Sequence, residues 1–165
     1  MEKPINLEDV NPELEKKINE IACEAYGKDF NEQVRLLKQA FDLIPKPVTD
    51  WSHPTAMICM SLARLYFNEK QYDKVEEWME LAIAVANKGF YLSTSPYMFG
   101  GIFYYETGNL DKAYRYFDIV YEDSRYRPFS IENKKYWQFY KETKEKLYPP
   151  KPKRTRKAAK PKDQA

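Results

Sequence analysis

Ser61 to Val85, SLARLYFNEKQYDKVEEWMELAIAV, overlays Phe99 to Asp123, FGGIFYYETGNLDKAYRYFDIVYED, at a constant offset of 38 residues (61 to 99). Ala63 falls on Gly101, Tyr66 on Tyr104, Tyr72 on Leu110, Asp73 on Asp111 and Lys74 on Lys112. Val75 falls on Ala113, Met79 on Phe117 and Ala82 on Val120. In each copy a small residue is followed three positions later by tyrosine, then by turn residues, then by a second apolar series at helical spacing. Small residues let two helices approach closely, and the aromatic three positions on fills the wedge beside them. The pattern predicts two helical hairpins in tandem. A hairpin with an unburied face needs neighbours, so such units stack before a core closes.

A third hairpin precedes these two. Asn11-Pro12 pairs an N-cap residue with one suited to the first helical position, and Glu13 and Glu15 favour the positive helix end. Leu14, Ile18, Ile21, Ala22 and Ala25 then form one apolar face before Gly27. A second helix is expected from Phe30 to Leu43, with Val34, Leu37, Ala40 and Phe41 inward, ended by Pro45 and Pro47. The connection Lys46–His53 leads to helices over Pro54–Asn68 and Tyr72–Ala86, and Ser95-Pro96 opens the next hairpin. A last amphipathic segment, Ser130 to Leu147, carries Ile131, Tyr136, Phe139, Tyr140 and Leu147. No alternating run is long enough for a sheet, and the fold class is all-α.

The 165 residues are one domain's worth with a tail. The net charge of +2 averages two unlike parts. From Pro149 onward seven Lys or Arg face one acid, Asp163, so the tail carries +6 and residues 1–148 carry −4. The expected boundaries are a helical domain over 1–148 and a basic tail over 149–165. The longest aliphatic stretch, Leu81 to Ala86, is six residues, against about 20 for a membrane-spanning helix. Met1–Val10 lacks a signal-peptide hydrophobic region, so a cytoplasmic location is expected. Cys23 and Cys59 lie in apolar helical patterns and read as small buried hydrophobes rather than redox or metal groups. His53 is the one histidine, and no glycine-rich phosphate loop occurs. Neither an enzyme nor a metal or other cofactor is expected.

At GNLDKA (Gly108 to Ala113), with Ala63, Gly101, Tyr66 and Tyr104, the sequence resembles the tetratricopeptide repeat (TPR) family. The family repeats at 34 residues, so the excess falls in Lys88–Thr94. LLKQAFDLIP (Leu36 to Pro45) fits the end of such a repeat, although Gln33 stands where the family has a small residue. The resemblance implies about three hairpins in a short superhelix, closed by Ser130–Leu147 as a capping helix. It also implies a groove lined by the first helix of each hairpin. Carried over, the groove positions are Met57, Met60, Arg64, Phe67 and Asn68 from the second hairpin. The third contributes Ser95, Met98, Ile102, Tyr105 and Glu106, and the first Tyr26. Aromatic and Met side chains beside Arg64 and Glu106 suit a protein-binding surface. The plainer alternative is that Phe67 and Tyr105 pack on each other between hairpins. The two-carboxylate clamp of some TPR domains is not matched, since Arg64 stands where the clamp has Asn and Ile102 is apolar.

The tail PPKPKRTRKAAKPKDQA has no aliphatic residue larger than Ala, and disorder is expected. Lys151, Lys153, Arg154, Arg156 and Lys157 could hold phosphates without sequence preference; a solubilising extension is the simpler explanation of them. The chain is further similar to a group of small stand-alone bacterial TPR proteins. The residues that carry this are KPVTDW (Lys46 to Trp51) and the closing segment PFSIENKKYWQFYKE, with Asn133-Lys134 where the group tends to have Asp-Pro. Such proteins often serve as immunity proteins beside polymorphic toxins. The similarity implies a cytosolic protein that binds and neutralises a toxin domain, and an acidic body suits a basic partner. The alternatives are a scaffold or chaperone adaptor binding a linear peptide, and a nucleic-acid-associated factor acting through the tail. No membrane partner is expected, and the sequence leaves the oligomeric state open.

Overall fold

Short polar side chains start four of the helices. Asn11 Oδ1 accepts from the Leu14 amide at 3.1 Å, Asp29 Oδ1 from Glu32 at 3.0 Å, Asn109 Oδ1 from Lys112 at 3.2 Å and Asn133 Oδ1 from Lys135 at 3.1 Å. Each satisfies an amide that the helix itself leaves free. The structure, a computed structural model, describes residues 6–87 and 94–149. Those residues form eight α-helices and no strand. In order they are α1 (Leu7–Val10), α2 (Pro12–Glu24), α3 (Phe30–Asp42), α4 (Ser52–Asn68), α5 (Tyr72–Ala86), α6 (Thr94–Glu106), α7 (Leu110–Ser124) and α8 (Lys134–Leu147). Single 3-10 turns, Val48–Asp50 and Arg127–Ile131, precede α4 and α8. Among the described residues no helix is long and apolar enough to cross a membrane.

The helices pack mainly as sequential pairs. α4 lies most extensively on α5, and α6 on α7; α2 with α3 is a looser pair, and α8 rests on α7. The 38-residue offset holds in space: α4 and α6 end at Asn68 and Glu106, and α5 and α7 span Tyr72–Ala86 and Leu110–Ser124. The turns match bond for bond. Gln71 N donates to Tyr66 O at 2.9 Å where Asn109 N donates to Tyr104 O at 2.8 Å. Gly108 takes a φ of 84° there, and its counterpart Lys70 is held at 57°, in the left-handed region that disfavours a side chain. The first pair departs from this pattern. Five residues, 25–29, join α2 to α3, and Gln33 is accommodated by donating from Nε2 to Lys28 O at 2.6 Å.

One core runs through all the pairs. Ile18, Ala40, Ile58, Leu62, Ala63, Val75, Met79, Ala113, Phe117 and Val120 are fully buried. α6 and α7 close on each other because Gly100 and Gly101 have no side chain. A Cβ on Gly101 would lie 2.4 Å from the Phe117 ring, and one on Gly100 would lie 2.5 Å from Tyr116. Phe129, Tyr136 and Tyr140 bury the far end of this layer, with Trp137 and Phe139 packed alongside.

Several local expectations are corrected. Ser130–Leu147 is not one helix: a 3-10 turn ends at Ile131, and Asn133 starts α8 anew, which leaves Ile131 85% exposed. α6 begins at Thr94 and α4 at Ser52, so His53 lies in a helical first turn rather than in a loop. Cys23 is exposed, because the buried side of α2 runs through Ile18 and Ala25. Glu15 is buried rather than serving the helix end from solvent. Leu7 of α1, by contrast, is buried in the core, an anchor that four residues of helix do not announce in sequence.

Two substitutions test this architecture. Gly101→Ala is expected to destabilise the protein by on the order of 2 kcal/mol in urea unfolding, with part of the loss recovered by adding Phe117→Leu. Lys70→Gly, at a position already left-handed, is expected to stabilise by about 0.5–1 kcal/mol in the same assay.

Candidate functional site

α2, α4 and α6, the first helices of the successive pairs, present side chains to a shared set of clefts. The largest, of about 600 Å³, is lined by Arg64 from α4, by Thr94, Ser95, Met98, Phe99 and Ile102 from α6, and by residues between Ser124 and Glu132. A smaller cleft adjoins it along Arg64, Phe67, Asn68, Phe99, Ile102, Glu132 and Tyr136. A third lies on the other side of α4, between Ala22, Ala25 and Tyr26 of the first pair and Ser61, Arg64, Leu65 and Asn68. Arg64 borders all three. Its guanidinium sits 5.1 Å from the Phe99 ring centroid, a cation–π contact that holds the head group against the wall. No carboxylate pairs with Arg64 or Arg127 among the described residues. The clefts therefore combine two unspent cations, one acid, Glu132, and an apolar floor.

Of the eleven groove positions expected from sequence, seven border these clefts: Tyr26, Arg64, Phe67, Asn68, Ser95, Met98 and Ile102. They differ in what they offer. Tyr26 is 92% exposed, whereas Met98 is buried and gives the cleft only an edge. Phe67 is half-buried against Tyr72, Phe99 and Phe103, with centroids 5.6 Å apart for the Phe99 pair. It forms the floor rather than a free anchor. Met57 is exposed and Met60 half-buried, and neither borders a cleft.

Tyr105 and Glu106 are corrected more firmly, because α8 packs on the first and pairs with the second. Tyr105 packs against Tyr136 at 5.4 Å and Phe139 at 5.1 Å, not against Phe67. Glu106 Oε1 accepts from the Tyr136 hydroxyl at 2.6 Å and lies 2.6 Å from Lys135 Nζ. The Lys135 ammonium and then the Tyr136 hydroxyl hold the Glu106 carboxyl below its ordinary range, while burial pushes the Tyr136 hydroxyl up. Glu106 is thus spent on seating the last helix. Sequence reasoning also missed the wall at Arg127, Pro128, Ser130 and Ile131, which follows from the 3-10 turn. The proline at position 128, unfit to continue a helix interior, was the available signal.

The remaining chemistry-bearing candidates fall elsewhere. Cys59 is fully buried and its thiol is pushed up to about 12 by that burial, which keeps it protonated and unreactive. Among the described residues no three His, Cys, Asp or Glu side chains are grouped to hold a metal ion. Lys151, Lys153, Arg154, Arg156 and Lys157 lie outside the described residues. Comparison with protein-family models, with curated proteins and with solved structures finds no match to this chain.

The Glu106 contacts have a pH consequence. Its folded-state carboxyl lies below the ordinary 4.5, so its stabilising contribution is complete above that value and is lost as pH falls through the folded-state value. Thermal midpoints measured from pH 7 to pH 3 are expected to fall less steeply below about pH 4.5 for Glu106→Gln than for the parent.

Proposed function

We propose that this chain is a TPR-like protein-binding module that takes a protein partner along the clefts bordered by α2, α4 and α6, and that it acts as an immunity protein neutralising a toxin. The observation that carries the binding reading is Arg64. It is an exposed, ring-stacked cation common to three adjoining clefts, with no carboxylate paired to it among the described residues. A planar guanidinium held against an aromatic wall is a pre-organised donor for a partner's acceptors, so it loses little freedom on binding. Half-buried Ile102 and exposed Ile131 beside it supply an apolar area whose burial adds affinity.

The TPR-like reading is supported by the matched turns, the shared boundaries and the glycine-mediated approach of the third hairpin. The toxin-neutralising reading draws its support from the sequence likeness at KPVTDW and PFSIENKKYWQFYKE and from the net −4 of residues 1–148. Acidic surface elsewhere would guide approach of a basic partner, while the clefts would lock it.

Binding to the product of the neighbouring reading frame, measured by calorimetry, tests the reading together with growth rescue on co-expression. Arg64→Glu combined with Ile102→Glu is expected to weaken binding by at least about tenfold (~1.4 kcal/mol) and to abolish rescue. Glu77→Lys on α5, which borders none of these clefts, should leave both unchanged, as should deletion of residues 149–165. Full affinity in the Arg64→Glu/Ile102→Glu variant removes the binding face from these helices. Affinity lost with the tail alone favours the nucleic-acid alternative.

A further inference from the structure

The largest cleft is bordered by two arginines from different parts of the chain. Arg64 belongs to α4, the first helix of its hairpin, whereas Arg127 belongs to the 3-10 turn between α7 and α8. Arg125, at a φ of 56°, ends α7, and the residues that follow form a wall of the cleft. Arg64 and Arg127 are both exposed, and neither meets a carboxylate among the described residues. Arg35 and Arg125, by contrast, each hold a glutamate three residues back. Half-buried Ile102 and exposed Ile131 border the same cleft. Covering them removes apolar surface from water.

Charge decides what enters. Residues 1–148 carry −4, yet the ionisable groups bordering this cleft are Arg64, Arg127 and one acid, Glu132. The cleft is a local positive spot on an acidic body. A nucleic acid would bring a run of phosphates to two arginines and meet long-range repulsion from the rest of the surface. A single carboxylate matches better, because a guanidinium binds it through two parallel, charge-assisted hydrogen bonds. Glu132 also borders the adjoining cleft beside Phe67 and Asn68, so a second acid further along would meet a like charge. We propose that this cleft receives a segment of a protein partner presenting one aspartate or glutamate side chain to Arg64 and Arg127, next to an apolar side chain seated on Ile102 and Ile131. This rests on the reading that α4 and α6 form the binding face, and adds the chemistry of the segment that enters. A mainly basic partner can carry such a residue: the acidic body steers the whole partner, and the arginines fix its register.

Nitrogen-15-labelled full-length protein, titrated with the capped tripeptide N-acetyl-leucyl-glutamyl-leucine amide, tests it. The Nε–H signals of Arg64 and Arg127 and the backbone amides of Ile102 and Ile131 are expected to move saturably. The glutaminyl counterpart, of the same shape without the charge, is expected to bind at least about tenfold more weakly, and so is a capped triglutamate. Arg64→Gln and Arg127→Gln, both at exposed positions, are each expected to weaken the glutamyl peptide by about tenfold. No saturable shift, equal affinity for the glutamyl and glutaminyl peptides, or full affinity in Arg127→Gln overturns the proposal. Inorganic phosphate moving both arginine signals at lower concentration than the peptide overturns it in favour of a phosphate ligand. The product of the neighbouring reading frame separates this proposal from the one it rests on. If that product is lost by Arg64→Glu/Ile102→Glu but held at full affinity by Arg127→Gln, the binding face stands and the carboxylate is overturned. If both variants hold it at full affinity, both readings fall.

Discussion

Phe117 occupies the space into which any side chain on Gly101 would project, and that close approach is the constraint on which the rest of the molecule depends. It brings α6 and α7 near enough for Phe117 to be wholly buried. Phe117 in turn packs on Phe129, Tyr136 and Phe139, so the glycine that admits the ring also decides where α8 can rest. α8 then packs on Tyr105 and pairs with Glu106, while the turn before it supplies the outer wall of the largest cleft. A missing methyl group thus reaches the candidate binding face through one aromatic ring. Interiors are too densely packed for α7 to retreat without losing those contacts.

A repeated polar device fastens the seams around this core. Tyr104 donates to Glu76 at 2.6 Å with Lys112 over its ring; Tyr136 donates to Glu106 with Lys135 over its ring; Tyr140 donates to Asp118 at 2.7 Å with Lys144 over its ring. In each case a largely buried tyrosine places its hydroxyl at the rim, where a carboxylate from another helix accepts it and a lysine offsets the charge. Exposed ion pairs contribute little individually. Here the tyrosine adds buried aromatic area, which makes the trio a directional contact between helices. Three of the 14 tyrosines are spent in this way. What stands out against it is Arg64, whose partner is a ring and not an acid.

The candidate face was legible in part. Positions on the side of α4 and α6 away from the core follow from helical spacing, which is why Arg64, Asn68 and Ile102 fall where the spacing puts them. Tyr105 and Glu106 belong to the same stripe, yet residues of α8 engage them both. Their fate depends on Tyr136, Lys135 and Phe139, some thirty residues on, and no local pattern carries that information. Glu15 illustrates the same limit in reverse. Beside a helix start it has every reason to face water, but α1 and the first turn of α4 enclose it. The first pair was the least legible throughout, since its five-residue turn breaks the spacing shared by the other two.

The sequence by itself determined α2 to α7, their pairing and the repeat register. Those depend on small residues, caps and turn geometry acting within about 40 residues, the span of one such repeat, and each leaves a mark in residue type. Only the tertiary structure decided which polar side chains remain free to meet a partner. A carboxylate or guanidinium is the same in sequence whether it is spent or unspent, and the difference lies in whether a distant helix delivers the opposite charge within hydrogen-bonding reach. For Glu106 α8 does so; for Arg64 no described helix does.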